Sequence, residues 1–205
     1  MHVNPERIRS FASAAEFETW LSKHHASEPE LWIKIHKKAS GLPSVTAAEA
    51  IDVVLCWGWI DGLRKGFDER SFLQRYTPRT AKSTWSQINQ GHVARLIAAG
   101  RMTKHGQREI DVAKKDGRWK AAYGPMRDAS PENVPADLRK AIAENARAQK
   151  CFDTLNRANL FAMTFRVSKL KTAAGRARQI ETLVAMLARG ETILPIPKAK
   201  TSKRG

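Results

Sequence analysis

The sequence predicts an α+β fold, in which a small antiparallel sheet with helices is followed by an all-helical C-terminal part. Strand patterns occur only before Pro78, helix patterns continue as far as Gly190, and a segment with three prolines lies between the two regions. The expected organisation is an α+β domain over 1–122, a linker over 123–134, a helical subdomain over 135–190 and a disordered basic tail over 191–205.

Two capping boxes predict the first two helices. Ser13 with Glu16, and Thr46 with Glu49, each place a hydroxyl and a carboxylate where they satisfy the free N–H groups of a first helical turn. Apolar residues then recur at helical spacing. The predicted helices span 14–24 and 47–57.

Three stretches have strand patterns. The first alternates apolar and polar residues and places Leu31, Ile33 and Ile35 on one face. The next two form a predicted hairpin, which ends at Pro78 because proline cannot donate to a strand ladder. The predicted strands span 31–37, 59–66 and 71–77.

Everything after Pro78 is predicted to be helical. Two helices end at Gly100 and Gly117, and four more follow the proline-rich segment. The last of these is capped by Thr172 and ends at Gly190. The first two of these helices are expected over 85–98 and 104–115.

The composition is that of a globular protein, with 42% hydrophobic and 27% charged residues in a chain of 205. No apolar run approaches the roughly 20 residues of a membrane helix, and charged residues interrupt the first 25 positions. We therefore expect a cytoplasmic location with no integral membrane association. Cys56 and Cys151 are expected to be buried free thiols.

The formal net charge of +16 is the one extreme in the composition. Such a charge attracts polyanions without sequence preference, so non-specific nucleic-acid binding is one hypothesis. A solvated basic surface without a binding role explains the same charge. The two interpretations remain open at this point.

Residues 56–89 contain three of the six tryptophans, among glycines, hydroxyls and cations. We predict that this stretch forms a cleft for an anionic ligand or partner. The candidate binding residues are Trp57, Trp59, Asp61, Arg79, Lys82, Ser83, Trp85, Ser86 and Asn89.

A predicted helix start near Thr84 is one basis for that cleft. Free backbone N–H groups, Arg79, Lys82 and the Ser83 hydroxyl would meet there, which favours anion binding. The alternative is that Ser83 only caps the helix and both cations are solvated.

Asp61 is the second basis, because strand alternation places it on the same face as Trp59. It is either a general base or the partner of Arg79 or Arg64 in an ion pair. An enzyme that uses Asp61 with Arg79 and Lys82 is a further hypothesis, although no nucleophile is evident. The histidines lack metal-site spacing, and no phosphate-binding loop, dinucleotide fingerprint or hydrolase motif is present. No metal or cofactor is therefore expected.

Several motifs are similar to those of the YdeI/OmpD-associated family. They are E-L-W-I-K-I-H-K-K-A-S-G at 30–41, A-I-D-V-V-L-C-W-G-W-I-D-G at 50–62, D-G-R-W at 116–119 and the helical stretch 134–190. The resemblance implies a bacterial protein linked to bacteriocin protection or an outer-membrane protein, which names a phenotype and not a reaction. Ala173, Ala174 and Gly175 depart from the family pattern, in which an acidic residue is frequent.

Overall fold

The computed structural model describes residues 3–170 and 172–196. The chain divides after Ala122 into two compact units. A four-stranded sheet with helices forms the first unit and helices form the second, which confirms the predicted α+β class. Of the predicted disordered tail, residues 197–205 lie outside the described residues.

The first unit contains four strands and four α-helices. In chain order they are β1 (Ile8–Arg9), α1 (Ala14–His24), β2 (Leu31–His36), α2 (Ala47–Cys56), β3 (Trp59–Asp68), β4 (Ser71–Pro78), α3 (Gln87–Ala98) and α4 (Lys104–Lys115). Both capping hydroxyls are in place, since Ser13 accepts from the N–H of Glu16 and Thr46 from that of Glu49.

The sheet order is β1-β2-β4-β3, and only the β1–β2 pair is parallel. β1 was not predicted, because a strand of two residues is too short to show alternation. The hairpin turns tightly between β3 and β4, where Asp68 accepts hydrogen bonds from the Arg70 N–H and the Ser71 hydroxyl. β3 is an edge strand whose pairing shifts register twice, between Asp61 and Arg64 and again between Gly66 and Asp68.

One face of the sheet packs on α1 and α2 to form the first core. Phe17, Leu21, Ile33, Val53 and Tyr76 are among its fully buried members. Burial of such side chains supplies most of the favourable free energy of folding, at roughly 1.5–3 kcal/mol each. The sheet and the two helices therefore form a rigid base for the loops at their ends.

A second core joins α2, α3 and α4 around Leu55, Trp85, Leu96 and Ile110. The helices α2 and α4 meet closely at Gly106. A Cβ atom built there would lie 2.5 Å from the carbonyl oxygens of both Leu55 and Cys56. Only glycine fits this approach without movement of the backbone.

Thr103 fixes the same junction by two kinds of hydrogen bond. Its hydroxyl oxygen accepts from the N–H groups of His105 and Gly106, which caps α4. The hydroxyl proton is donated to the carbonyl oxygen of Cys56 at 2.5 Å, which satisfies the end of α2. The first turn of α4 is thus held against the last turn of α2.

Among the described residues, the second unit contains four α-helices, the number that the sequence predicted. They are α5 (Ala136–Ala143), α6 (Ala146–Phe152), α7 (Arg157–Ser168) and α8 (Ala173–Ala188). Arg176 ties α8 to α5 through two hydrogen bonds to the Asp137 carboxylate, at 2.6 and 2.9 Å. The segment 123–134, expected as a linker, contains two short 3-10 helices, and Val134 is buried in the core of this unit.

The two cysteines are free. Cys56 is buried as predicted, and burial raises the pKa of its thiol to about 11. Cys151 is only partly buried, so the prediction of a buried thiol was wrong there. It lies near the end of α6, where solvent reaches one side of the helix.

We expect Gly106→Ala to lower the free energy of unfolding by about 1–3 kcal/mol, because the added methyl group meets two backbone oxygens. Gly91→Ala is the matched control. Gly91 lies within α3 and has open space around it, so alanine should stabilise that helix by about 0.5–1 kcal/mol. Urea denaturation of both variants measures the difference. Equal effects of the two substitutions would contradict the close helix approach.

Candidate ligand-binding cleft

A cavity of about 310 Å³ lies in the first unit, beside the end of α2. Four segments surround it: the turn after α1, the junction between α2 and β3, the end of β4 and the first turns of α4. Its lining residues are His25, Ala26, Trp57, Gly58, Trp59, Pro78, Arg79, His105, Arg108 and Glu109. We call this cavity the cleft.

Gly58 shapes the floor of the cleft. Its φ of 73° lies in the left-handed region, which ends α2 and starts β3. A Cβ at this position would lie 3.0 Å from both the Glu109 Cγ and the His105 carbonyl oxygen. The Gly58 carbonyl also accepts a hydrogen bond from the backbone N–H of Arg79 at 2.9 Å, so this glycine joins the end of β4 to α4.

Three aromatic rings form one wall. The centroids of His25 and His105 are 4.1 Å apart, and the Trp57 indole stacks on His105 at 5.5 Å with an interplanar angle of 17°. Trp57 also contacts His25 at 4.9 Å. Each ring is therefore fixed by the other two.

The two histidines differ in their polar surroundings. His25 Nδ1 lies 3.3 Å from the Ser22 carbonyl oxygen, which accepts a hydrogen bond from this nitrogen in the tautomer that carries its proton there. Burial lowers the pKa of His105 below its ordinary value. The nearby positive charges, which come from His25, Lys104 and Arg108, lower it further.

Arg79 is a buried cation in the opposite wall, with 7% of its surface exposed. Its guanidinium carbon lies 3.4 Å from the centroid of the Trp85 ring, and Nη1 donates to the Thr84 carbonyl at 3.2 Å. The stacking and the hydrogen bond fix the guanidinium in one orientation.

Arg108 and Glu109 bring the remaining charges to the cleft. Arg108 is exposed and Glu109 is half-buried. Within the described residues, neither side chain makes a hydrogen bond or an ion pair, although both border the same cavity. The charged and titratable side chains that line the cleft are thus two arginines, one carboxylate and two histidines.

Of the nine predicted binding residues, three line the cleft: Trp57, Trp59 and Arg79. Trp59 is 1% exposed, and its indole N–H donates to the His25 carbonyl at 3.1 Å, so it mainly supports the turn after α1. The other predicted residues do not line this cavity. They are Asp61, Lys82, Ser83, Trp85, Ser86 and Asn89.

The predicted helix start near Thr84 was wrong. The helix begins at Gln87, and the Ser86 hydroxyl accepts from the Asn89 N–H at 3.0 Å. Trp85 lies in the extended segment before the helix, and its side chain is buried in the second core. Because this segment stays extended, the first helical turn begins only after it. Ser83 is therefore not the cap.

The predicted group of free backbone N–H donors at a helix start beside Ser83 is not formed. Ser83 lies in a turn, where its hydroxyl accepts from the Thr80 N–H at 2.9 Å. Arg118 donates from Nη1 to the carbonyl oxygens of Thr80 and Ser83, at 3.2 and 3.0 Å, and from Nε to Asp116. The turn therefore presents carbonyl oxygens to a cation, while Lys82 is exposed.

Asp61 does not form the expected ion pair. It is exposed on β3, and no salt bridge joins it to Arg79 or Arg64 in the described part of the chain. Arg64 donates to the Gln74 side chain instead, at 3.0 Å. One of the two register shifts of β3 begins at Asp61.

Four titratable or charged lining residues were missed from the sequence: His25, His105, Arg108 and Glu109. Three of them come from α4, which no motif marked as functional. Gly106 inside a helical pattern indicates a close approach of another backbone, and His105 and Glu109 are spaced to share one helix face. Together these features mark α4 as a helix whose first turns face other elements.

The described residues hold no group of three or more His, Cys, Asp or Glu side chains placed to bind a metal ion. None of the helices described has the length and apolarity needed to cross a membrane.

Comparison with known families divides the chain into two parts. Residues 133–190 match the family described as "Bacteriocin-protection, YdeI or OmpD-Associated". Residues 9–109 match a "Domain of unknown function (DUF8412)". No curated protein and no solved structure gives a significant match. The YdeI/OmpD-associated resemblance is thus supported for the C-terminal segment only. The motifs at 30–41 and 50–62 lie in the domain of unknown function. All residues that line the cleft lie in that domain as well.

The lowered pKa of His105 predicts a dependence of stability on pH. The unfolded chain binds a proton at this residue near pH 6.5 more readily than the folded chain does. The favourable contribution of the neutral His105 ring to the free energy of unfolding is therefore present above that pH and is lost as the pH falls below it. We expect His105→Gln to flatten the fall in unfolding free energy between about pH 7.5 and 5.5.

Urea denaturation at several pH values checks this expectation. His24→Gln removes a histidine that does not line the cleft and should leave the slope unchanged. A His105→Gln variant with the slope of the wild type would show that His105 titrates alike in both states.

Proposed function

We propose that the N-terminal unit is a binding module that holds a small anionic ligand in the cleft. The observation that carries this proposal is the excess of cations around the cavity. Arg79 and Arg108 both border it, whereas Glu109 is the one carboxylate among its lining residues. An anion is the ligand whose charge this arrangement complements.

Arg79 is suited to the role of anchor. The residue is 7% exposed, and its guanidinium is oriented by Trp85 and the Thr84 carbonyl before any ligand arrives. A fixed side chain loses little entropy on binding. Its partial burial also strengthens attraction to an anion, because the local dielectric constant is lower than that of water.

Arg108 supplies a second and more adaptable cation. It lies at the mouth of the cleft and has no ion pair within the described structure, so it is available to close on a bound oxyanion. A guanidinium presents two parallel N–H groups to a carboxylate or phosphate. Rigid and mobile arginines thus face the same cavity.

The lining favours binding over covalent catalysis. It contains no serine, threonine, cysteine or lysine to act as a nucleophile. The aromatic wall of Trp57 and the histidines supplies shape and apolar contact instead. This composition is typical of a pocket in which a few polar groups orient the ligand.

Isothermal titration with inorganic phosphate at moderate salt tests the proposal. We expect wild-type protein to release or absorb heat with a single-site profile, and Arg108→Gln to bind about tenfold more weakly or worse, because a charge-assisted hydrogen bond is lost. Lys115→Gln removes an exposed cation of the same helix that does not line the cleft, and it should bind like the wild type.

Two results would contradict the proposal. One is the absence of phosphate binding by the wild type. The other is equal weakening in the Arg108→Gln and Lys115→Gln variants, together with steep loss of binding as salt rises, which indicates attraction to the general positive charge of the chain.

A further inference from the structure

We infer that the ligand of the cleft is a zwitterion, in which an ammonium group pairs with Glu109 while an oxyanion pairs with the arginines. The inference rests on the proposed function of the cleft and specifies its chemical class. It is carried by the acceptor groups of the lining, which a simple anion leaves unused.

Glu109 is the main observation. It is half-buried, and no residue in the described ranges gives it a hydrogen bond or an ion pair. Its Cγ lies over Gly58, at 3.0 Å from the position of a Cβ there, so the stem of the side chain rests against the floor of the cleft. A carboxylate that is partly removed from water without a partner is costly, and a bound cation removes that cost.

The neighbours of Glu109 do not supply the missing partner. Arg108 is adjacent in the helix, and residues one apart on a helix do not face each other. His105 lies one turn earlier on the same face, but burial lowers its pKa and favours the neutral ring. Within the described residues, the acceptor sites of Glu109 are therefore open to a group that enters the cleft.

His25 adds a second acceptor. In the neutral tautomer that carries its proton on Nδ1, 3.3 Å from the Ser22 carbonyl oxygen, the imidazole has an acceptor lone pair on Nε2. A phosphate dianion or a carboxylate has no N–H or O–H to offer such acceptors. An ammonium group has three donors, which suits a site that holds a carboxylate and an imidazole nitrogen.

The size of the cleft limits the length of the ligand. A volume of about 310 Å³ lies at the lower end of small-molecule sites, which run from roughly 300 to 1,000 Å³. The amine and the oxyanion must therefore be separated by only a few bonds. Aminoalkyl phosphates and small amino acids share this chemistry.

Paired titrations test the inference with ligands that differ only in the amine. Phosphoethanolamine is compared with ethyl phosphate, and β-alanine with propionate, so that the two pairs also distinguish phosphate from carboxylate. We expect the wild type to bind the amine-bearing member of at least one pair about tenfold more tightly.

Glu109→Gln should abolish that preference, because the amide keeps the shape of the side chain and loses its charge. Glu109→Asp retains the charge and should keep a preference, which separates the electrostatic role from a packing role. Glu144→Gln, an exposed change in the second unit, should leave the affinities for the amine-bearing and the amine-free ligands unchanged. Thermal unfolding curves establish that each variant is folded.

The outcomes separate this inference from the proposed function. If the wild type binds ethyl phosphate or propionate but shows no preference for the amines, or if Glu109→Gln keeps the preference, the zwitterion is excluded and the anion site stands. If no member of either pair binds, the anion site is excluded as well.

Discussion

The contact between α2 and α4 is the constraint on which the cleft depends. At Gly106 the first turn of α4 lies so close to the last turn of α2 that a methyl group has no room, and the Thr103 hydroxyl joins the two helix ends through the Cys56 carbonyl. His105 directly precedes Gly106, and Glu109 lies three residues after it, within one helical turn. Their positions beside Gly58 are therefore set by the backbone and not by flexible side-chain contacts.

Local sequence patterns were sufficient for most of the fold. Capping boxes at Ser13 and Thr46 and the alternation of β2 act within a few residues, so the helices and strands they mark lie where expected. The start of α3 was misplaced because burial of Trp85 in a core made by three helices overrides the local hydroxyl pattern. Long-range packing of this kind leaves little trace in a short window of sequence.

The candidate site was only partly predictable for the same reason. Trp57 and Arg79 were predicted from the stretch rich in tryptophan, glycine and cations, and they meet at the cleft because both flank the β3–β4 hairpin, whose ends come together. His25 and His105 are far apart in the chain and meet only after α4 has packed on α2. The anion site expected at a helix start near Thr84 was wrong, because Thr80 and Ser83 form a turn whose carbonyl oxygens accept hydrogen bonds from Arg118, which no local pattern places there.

The irregular pairing of β3 bears on how copies of the molecule behave in concentrated solution. An outer strand with unpaired N–H and C=O groups is a template for a second strand, and a long straight one invites association. Here two register shifts interrupt the regular spacing of those N–H and C=O groups along β3. Arg64 and Lys65 add like charges between the two shifts. Two such edges repel and mismatch each other, which protects an otherwise exposed hairpin from sheet-to-sheet aggregation.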